Sequence, residues 1–204
     1  MKILLTDAGK RYNREWIFRH FTQVFETGQC YAITGHNGSG KSTLLQVIAG
    51  AILPNEGKLV MTKDNDVSTE DHFKYISITA PYLELVEEMT AREFLDFHRS
   101  FKPFLHNLTI DEVLKEAELS HAADKQVRYF SSGMKQRLKL AQGILSDTPF
   151  VLLDEPCTNL DETGIRLYLR LINSYTKNRC VIVSSNDPQE YGFCTQVINI
   201  QEFK

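Results

Sequence analysis

The period of apolar and polar positions changes along the 204 residues. Residues 2–6, 16–25 and 29–34 are rich in β-branched and aromatic side chains, the composition of strands. Residues 57–62 and 75–79 read the same way. Later apolar runs at 150–153, 180–183 and 197–200 are short and nearly unbroken, which suits strands buried on both faces of a parallel sheet. Between the two strand groups the period lengthens. Thr90 has Glu93 three residues on, a capping-box spacing, and Phe94, Phe97 and Phe101 then fall on one helical face. Thr109 and Asp111 open a second helix through Leu119, and residues 132–145 form a third. Ile165, Tyr168, Leu169 and Ile172 follow the i, i+3, i+4, i+7 rule of an amphipathic helix. The pattern predicts one α/β domain over 1–204. Its core comes from the two ends of the chain, residues 1–80 and 147–204, with a mainly helical insertion at 81–146.

Composition narrows the class. Hydrophobic residues make up 42% and charged residues 24%, ordinary globular values that argue against disorder. The longest apolar run, Val47 to Leu53, ends at Pro54, far short of the ~20 residues a membrane-spanning helix needs. A net charge of −3 weighs against a protein held to nucleic acid by charge. The start is too short and too soon charged for a signal peptide. Cysteines at 30, 157, 180 and 194 show no Cys-x-x-Cys spacing, so neither a zinc site nor a redox motif is expected, and reduced cytosolic thiols are the default. Six histidines show no metal-ligand spacing either.

The strongest chemical signal is Gly35-His36-Asn37-Gly38-Ser39-Gly40-Lys41-Ser42, which fits the P-loop pattern G-x-x-x-x-G-K-[ST]. An apolar strand precedes it and a helical run from Thr43 follows. Glycines let the backbone curl so that N–H groups face phosphate oxygens, and the helix N-terminus adds partial positive charge. Lys41 supplies a full charge to the β- and γ-phosphates, and the Ser42 hydroxyl can ligate Mg²⁺. The bland reading is a chance glycine-rich turn, which the flanking strand and helix make improbable. Residues 150–155 form a second signal, an apolar strand ending in Asp154 and Glu155. An Asp at such a position helps hold Mg²⁺, and the adjacent Glu can polarise a water. Read alone, it is equally a strand that ends in solvent.

Phe130-Ser131-Ser132-Gly133-Met134-Lys135-Gln136-Arg137 resembles the ABC signature L-S-G-G-Q-x-x-R, and Asp154-Glu155-Pro156-Cys157-Thr158-Asn159-Leu160-Asp161 resembles the family's D-E-P-T-x-x-L-D. With the P-loop, these residues make the chain similar to ABC ATPases from Lys2 to Glu202. The resemblance implies a P-loop NTPase core with a mainly parallel sheet, an N-terminal antiparallel β subdomain and the inserted helical subdomain. It also implies an ATP-binding subunit of an ABC transporter, hydrolysing ATP with Mg²⁺. Tyr12 then stacks on adenine, residues 35–43 (Thr43 included) hold the phosphates, and Ser42 and Asp154 serve the metal. Glu155 positions water. Ser131 and Gly133 complete the site of the opposite subunit across a head-to-tail dimer, and Asp161 communicates across it. The implied partners are a second ABC ATPase subunit and an integral membrane permease, with the chain held on the cytoplasmic face through the permease. The zone from Pro81 to Met89 would border the permease groove. The signature variant is exporter-like.

Two positions depart from the family pattern. Ala80 stands where a Gln usually ends the strand entering the insertion, and Asn186 stands where a His usually senses the γ-phosphate. Asn can donate a hydrogen bond but carries no charge at neutral pH. A nucleotide-gated interaction module with little turnover is therefore the rival reading. A soluble ABC protein acting on ribosomes or DNA is a weaker one.

Overall fold

A computed structural model describes all 204 residues. The chain divides into two compact units, Met1–Ile78 with Pro149–Asp154 and Asn178–Lys204, and Thr79–Thr148 with Glu155–Lys177.

The first unit contains two sheets. Strands β1 (Lys2–Tyr12), β2 (Glu15–Glu26), β4 (Glu56–Thr62) and β5 (Asp66–Val67) form an antiparallel sheet in the order β2-β1-β4-β5. The second sheet holds β3 (Cys30–Thr34), β6 (Ile76–Thr79), β7 (Phe150–Asp154), β8 (Cys180–Ser184) and β9 (Gln196–Asn199), in the order β6-β7-β8-β3-β9. Its pairs β7/β8, β8/β3 and β3/β9 are parallel. Strands β7 and β8 are buried at every position, which explains their unbroken apolar runs. Helix α1 (Lys41–Ile48) supplies Leu44, Leu45, Val47 and Ile48 to a core shared with Ile3, Phe18, Phe25, Tyr31 and Leu152.

The α/β class, the parallel sheet and the antiparallel N-terminal strands are as expected. β1 runs further than the predicted 2–6. Register shifts between Leu5, Ala8, Lys10 and Arg11, with Asp7 at φ 49°, break the two-residue alternation that would mark the longer strand.

The second unit is helical. Helices α2 (Ala91–Arg99), α3 (Ile110–Glu116), α4 (Ser132–Leu145) and α5 (Glu162–Tyr175) pack in the pairs α2/α3, α3/α4, α2/α4 and α4/α5. Thr90 and Thr109 each close a full capping box, with Glu93 and Glu112. The helix expected to reach Leu119 stops at Glu116. Glu118 adopts φ 58°, its N–H donates to the Lys115 carbonyl, and the Leu119 N–H donates to the Leu114 carbonyl. This is the Schellman closure with Glu in the position that glycine usually takes, and buried Leu119 supplies the accompanying apolar contact.

The predicted aromatic face of α2 is also corrected. Ala91, Phe94 and Leu95 are buried, whereas Phe97 and Phe101 are exposed and meet edge to face at 5.1 Å. Phe101 lies beyond the helix end, and Phe97 points away from the buried arc. In α5 the buried face is Gly164, Leu167, Tyr168, Leu171 and Ile172, so Ile165 and Leu169 only flank it. A short helix α6 (Pro188–Tyr191) lies between β8 and β9. No helix is long and apolar enough to cross a membrane.

Candidate functional site

In the first unit the P-loop joins the end of β3 to α1. Gly35, Gly38 and Gly40 have φ of 143°, 79° and 103°, conformations that side chains disfavour. At Gly35 and Gly40 space forbids a side chain as well. A Cβ on Gly35 would come within 2.7 Å of Ser39 Oγ, and one on Gly40 within 2.2 Å of Ile17 Cγ2. Ile17, from β2, and Ile200, which also crowds Gly35, fix the loop from below. Neither was legible in the sequence, because both contacts are long-range and the residues are plain aliphatics.

Lys41 is buried and reaches back over the loop. Its Nζ donates to the Gly35 carbonyl at 2.7 Å and to the His36 carbonyl at 3.4 Å. The Ser39 N–H closes a turn onto the His36 carbonyl at 3.0 Å, and the His36 ring bonds the Asn37 carbonyl at 2.8 Å. His36, Asn37 and Gly38 form the exposed rim. Gly40 precedes α1 without any side-chain cap. First-turn N–H groups at Lys41, Ser42 and Thr43 lack intrahelical acceptors, so they and the helix dipole face whatever the loop holds. This arrangement can grip an anion such as a phosphate chain.

Asn186 follows β8 and belongs to the same site. Its Oδ1 accepts the Gly35 N–H at 3.0 Å, and its Nδ2 donates to Asn37 Oδ1 at 3.3 Å. Expected as a sensor of the terminal phosphate, this side chain braces the loop.

Asp154 ends β7, opposite Ser184 of β8 in the ladder. It is buried, and its Oδ1 has no hydrogen-bond partner, nor have the buried hydroxyls of Ser39 and Ser184. Orphaned buried polar atoms are costly. A carboxylate oxygen and a serine hydroxyl left so, beside a phosphate-binding loop, suit a hydrated Mg²⁺ that is held by one or two carboxylates and the phosphates. Tyr12, at the end of β1, is half exposed, with Lys10 Nζ 5.6 Å from its ring centroid.

The second unit contains the signature. Ser131 is the N-cap of α4, its Oγ accepting the Met134 N–H at 3.2 Å. A Cβ on Gly133 would come within 3.3 Å of the Asn159 carbonyl, so the absence of a side chain lets the helix start approach residues 155–161. Gln136 Nε2 donates to the Pro156 carbonyl at 2.6 Å. Arg137 bridges Glu118 at 2.9 Å and Asp161 at 3.6 Å. Asp161 caps α5 by accepting the Gly164 N–H, which with Arg137 holds its carboxyl below the usual range. Glu155 and Asn159 adopt φ of 43° and 65°. The signature helix therefore grips the segment after Asp154. Its Gln136 and Arg137 stood in the motif, but nothing in the sequence named their acceptors.

A cavity of about 390 Å³ lies in this unit between residues 81–87, α4 and residues 158–159. Glu87 and Lys135, both lining it, form an ion pair. Lys139 Nζ donates to the carbonyls of Ala80 (3.4 Å) and Pro81 (3.2 Å), and burial lowers its pKa. Ala80 is fully buried.

A family model described as ABC transporter matches residues 18–158. The chain belongs to the ABC transporter family. Among curated ABC proteins it is 32% identical over 182 residues to the bacitracin transport ATP-binding protein of Bacillus licheniformis, covering 89% of this chain and 60% of that one. It is 28% identical over 193 residues to the cytochrome c biogenesis ATP-binding export protein of Rhizobium etli, covering 92% and 89%. It spans only 55–64% of the length of three of the curated ABC relatives it matches. Among solved structures, an ABC transporter ATP-binding protein from Pyrococcus furiosus superposes with a TM-score of 0.83 at 22% identity over the full length of both chains. A bacterial ABC transporter cassette solved as a dimer gives 0.84 at 23% identity, covering 97% of this chain and 94% of that one. Likenesses at this identity establish the ABC cassette fold.

Proposed function

We propose that this chain is the ATP-binding subunit of an ABC transporter. In this reading it binds MgATP, pairs head to tail with a second such subunit, and hydrolyses ATP to drive a separate membrane permease from the cytoplasmic face. The observation that carries the reading is the P-loop itself: an uncapped helix start, three glycines in conformations that side chains disfavour, and a buried lysine over the loop.

The roles follow from position. Tyr12 offers its exposed ring to the adenine. Residues 35–43 hold the phosphates, with Lys41 exchanging its two carbonyl acceptors for phosphate oxygens. Ser42 and Asp154 would hold Mg²⁺, which neutralises charge on the phosphates when bound. Glu155 orients and polarises the attacking water. Ser131, still free to donate its own O–H while capping α4, and the amides near Gly133 serve the nucleotide of the opposite subunit. Asp161, pinned by Arg137, transmits its state. The groove lined by Pro81, Glu84, Leu85 and Lys139 faces the permease. Net acidity leaves nucleic acid out of the partner set.

Calorimetric titration with MgATP tests the reading. Wild type should bind, and Lys41→Ala should bind at least about tenfold more weakly, the worth of one charged hydrogen bond. Equal affinities would contradict it. The rival reading, a nucleotide-gated module with little turnover, draws on Asn186 being engaged with the loop and on apolar Ala80. Wild-type turnover separates the two.

A further inference from the structure

In the first unit two aromatic residues, Tyr12 and Trp16, lie on either side of the turn between β1 and β2. Trp16 is already covered. The guanidinium carbons of Arg11 and Arg19 lie 5.3 and 4.4 Å from its ring centroid. Glu56 holds Arg19 at 3.0 Å, and a Cβ on Gly9 would come within 3.0 Å of Trp16 Cζ3. Tyr12 differs. It is half exposed, its hydroxyl makes no hydrogen bond and its ring meets no other ring. The cation placed against that ring is the Lys10 ammonium, 5.6 Å from the centroid.

Lys10 is itself anchored. Its Nζ donates to the Leu53 carbonyl at 2.8 Å. Two further bonds lace the same stretches together. The Asn55 N–H donates to the Gly9 carbonyl at 2.7 Å, and the Arg11 N–H donates to Asn55 Oδ1 at 3.0 Å. The ammonium therefore stands on fixed backbone, and the ring two residues further along the strand stands against the ammonium. A cation within about 6 Å of a tyrosine centroid is drawn to the ring face. We propose that Lys10 is a positioning residue for the nucleotide base: anchored by Leu53, it orders the exposed Tyr12 ring from one face and leaves the other face for the purine. The proposal rests on the reading of Tyr12 as the residue that stacks on the base.

Without the cation, an exposed side chain must be ordered when the base arrives, which weakens binding about two- to tenfold. Lys10 acts through the ring, so its removal is silent where Tyr12 has no ring. A merely structural role, keeping residues 53–55 against β1, would act with or without the ring. So would a direct pull of the ammonium on the phosphates. The Lys10–Leu53 bond is exposed, so water takes the carbonyl in its absence and the fold is kept.

The test is a double-mutant cycle of the full chain, read by calorimetric titration with MgATP: wild type, Lys10→Met, Tyr12→Ala and the double variant. Lys10→Met should bind about two- to tenfold more weakly than wild type, and Lys10→Arg should bind as wild type does. In the Tyr12→Ala background, Lys10→Met should have no further effect. Magnesium tripolyphosphate, which carries no base, should bind wild type and Lys10→Met alike. Unchanged MgATP affinity in Lys10→Met, an equal loss in both backgrounds, or a matching loss for tripolyphosphate would each overturn the proposal while leaving nucleotide binding intact. Wild type that binds no MgATP, or Tyr12→Ala that binds it as tightly as wild type, would overturn the reading on which the proposal rests.

Discussion

Replacing Asn186 by Ala removes two hydrogen bonds that hold the phosphate loop, at 3.0 Å to the Gly35 N–H and 3.3 Å to Asn37 Oδ1. Both are exposed, so each is worth about 0.5–1 kcal/mol, near the low end for neutral pairs. The first fixes the amide that opens the loop; the second only bridges two side chains. Their joint loss should cost about 1–2 kcal/mol of loop preorganisation, roughly a five- to thirtyfold loss of nucleotide affinity. Global stability should barely change, because no buried group is left unpaired. Calorimetric titration of wild type and Asn186→Ala with MgATP and MgADP reads this out. A brace acts on the loop whichever nucleotide enters, so both affinities should fall by the same factor. If ATP affinity fell and ADP affinity did not, Asn186 would be answering the γ-phosphate, and the bracing argument would be refuted.

Two further outcomes follow from the geometry. Gly40→Ala places a methyl 2.2 Å from Ile17 Cγ2 on a backbone at φ 103°, which should cost about 2–3 kcal/mol. A thermal melt should drop by about 4–12 °C, with nucleotide binding lost; an unchanged melt would contradict the packing described. His98 is half-buried between the Ser146 hydroxyl and the Gln142 amide, and partial burial with nearby Lys102 pushes its pKa down to about 4. Because this folded value lies below the unfolded one near 6.5, the unfolded chain gains the proton first as pH falls. Stability should therefore drop from about pH 6.5 toward pH 4, by on the order of 2–3 kcal/mol, and be flat in this respect above 6.5. Denaturant melts of His98→Gln should show a shallower acid slope than wild type; identical slopes would contradict the assignment.

The sequence carried different parts of this molecule unequally. The P-loop was legible because its glycines mark conformations that other residues disfavour, and its flanks changed period on either side. Thr90 and Thr109 were legible because a capping box is a local device complete within four residues. The later strands announced themselves because double burial erases alternation. What was hidden depended on distant partners. Nothing local shows that Ile17 and Ile200 shape the loop, that Gln136 reaches the Pro156 carbonyl, or that Asn186 turns to the Gly35 amide. The face of α2 was misjudged because phenylalanine spacing counts only where the helix continues and the facing surface is buried. The end of α3 was misplaced because Glu118, a residue without a left-handed preference, takes the position that glycine usually signals.

The central claim is an ATP-driven pairing of two such subunits. Glu155→Gln keeps the side chain's shape but removes the carboxylate that polarises water, so bound ATP should persist. Gel filtration of this variant with MgATP, with MgADP and without nucleotide tests the claim directly. The account predicts a dimer only with MgATP, with two nucleotides per dimer, and a monomer otherwise. A monomer in all three conditions, with ATP bound, would contradict it.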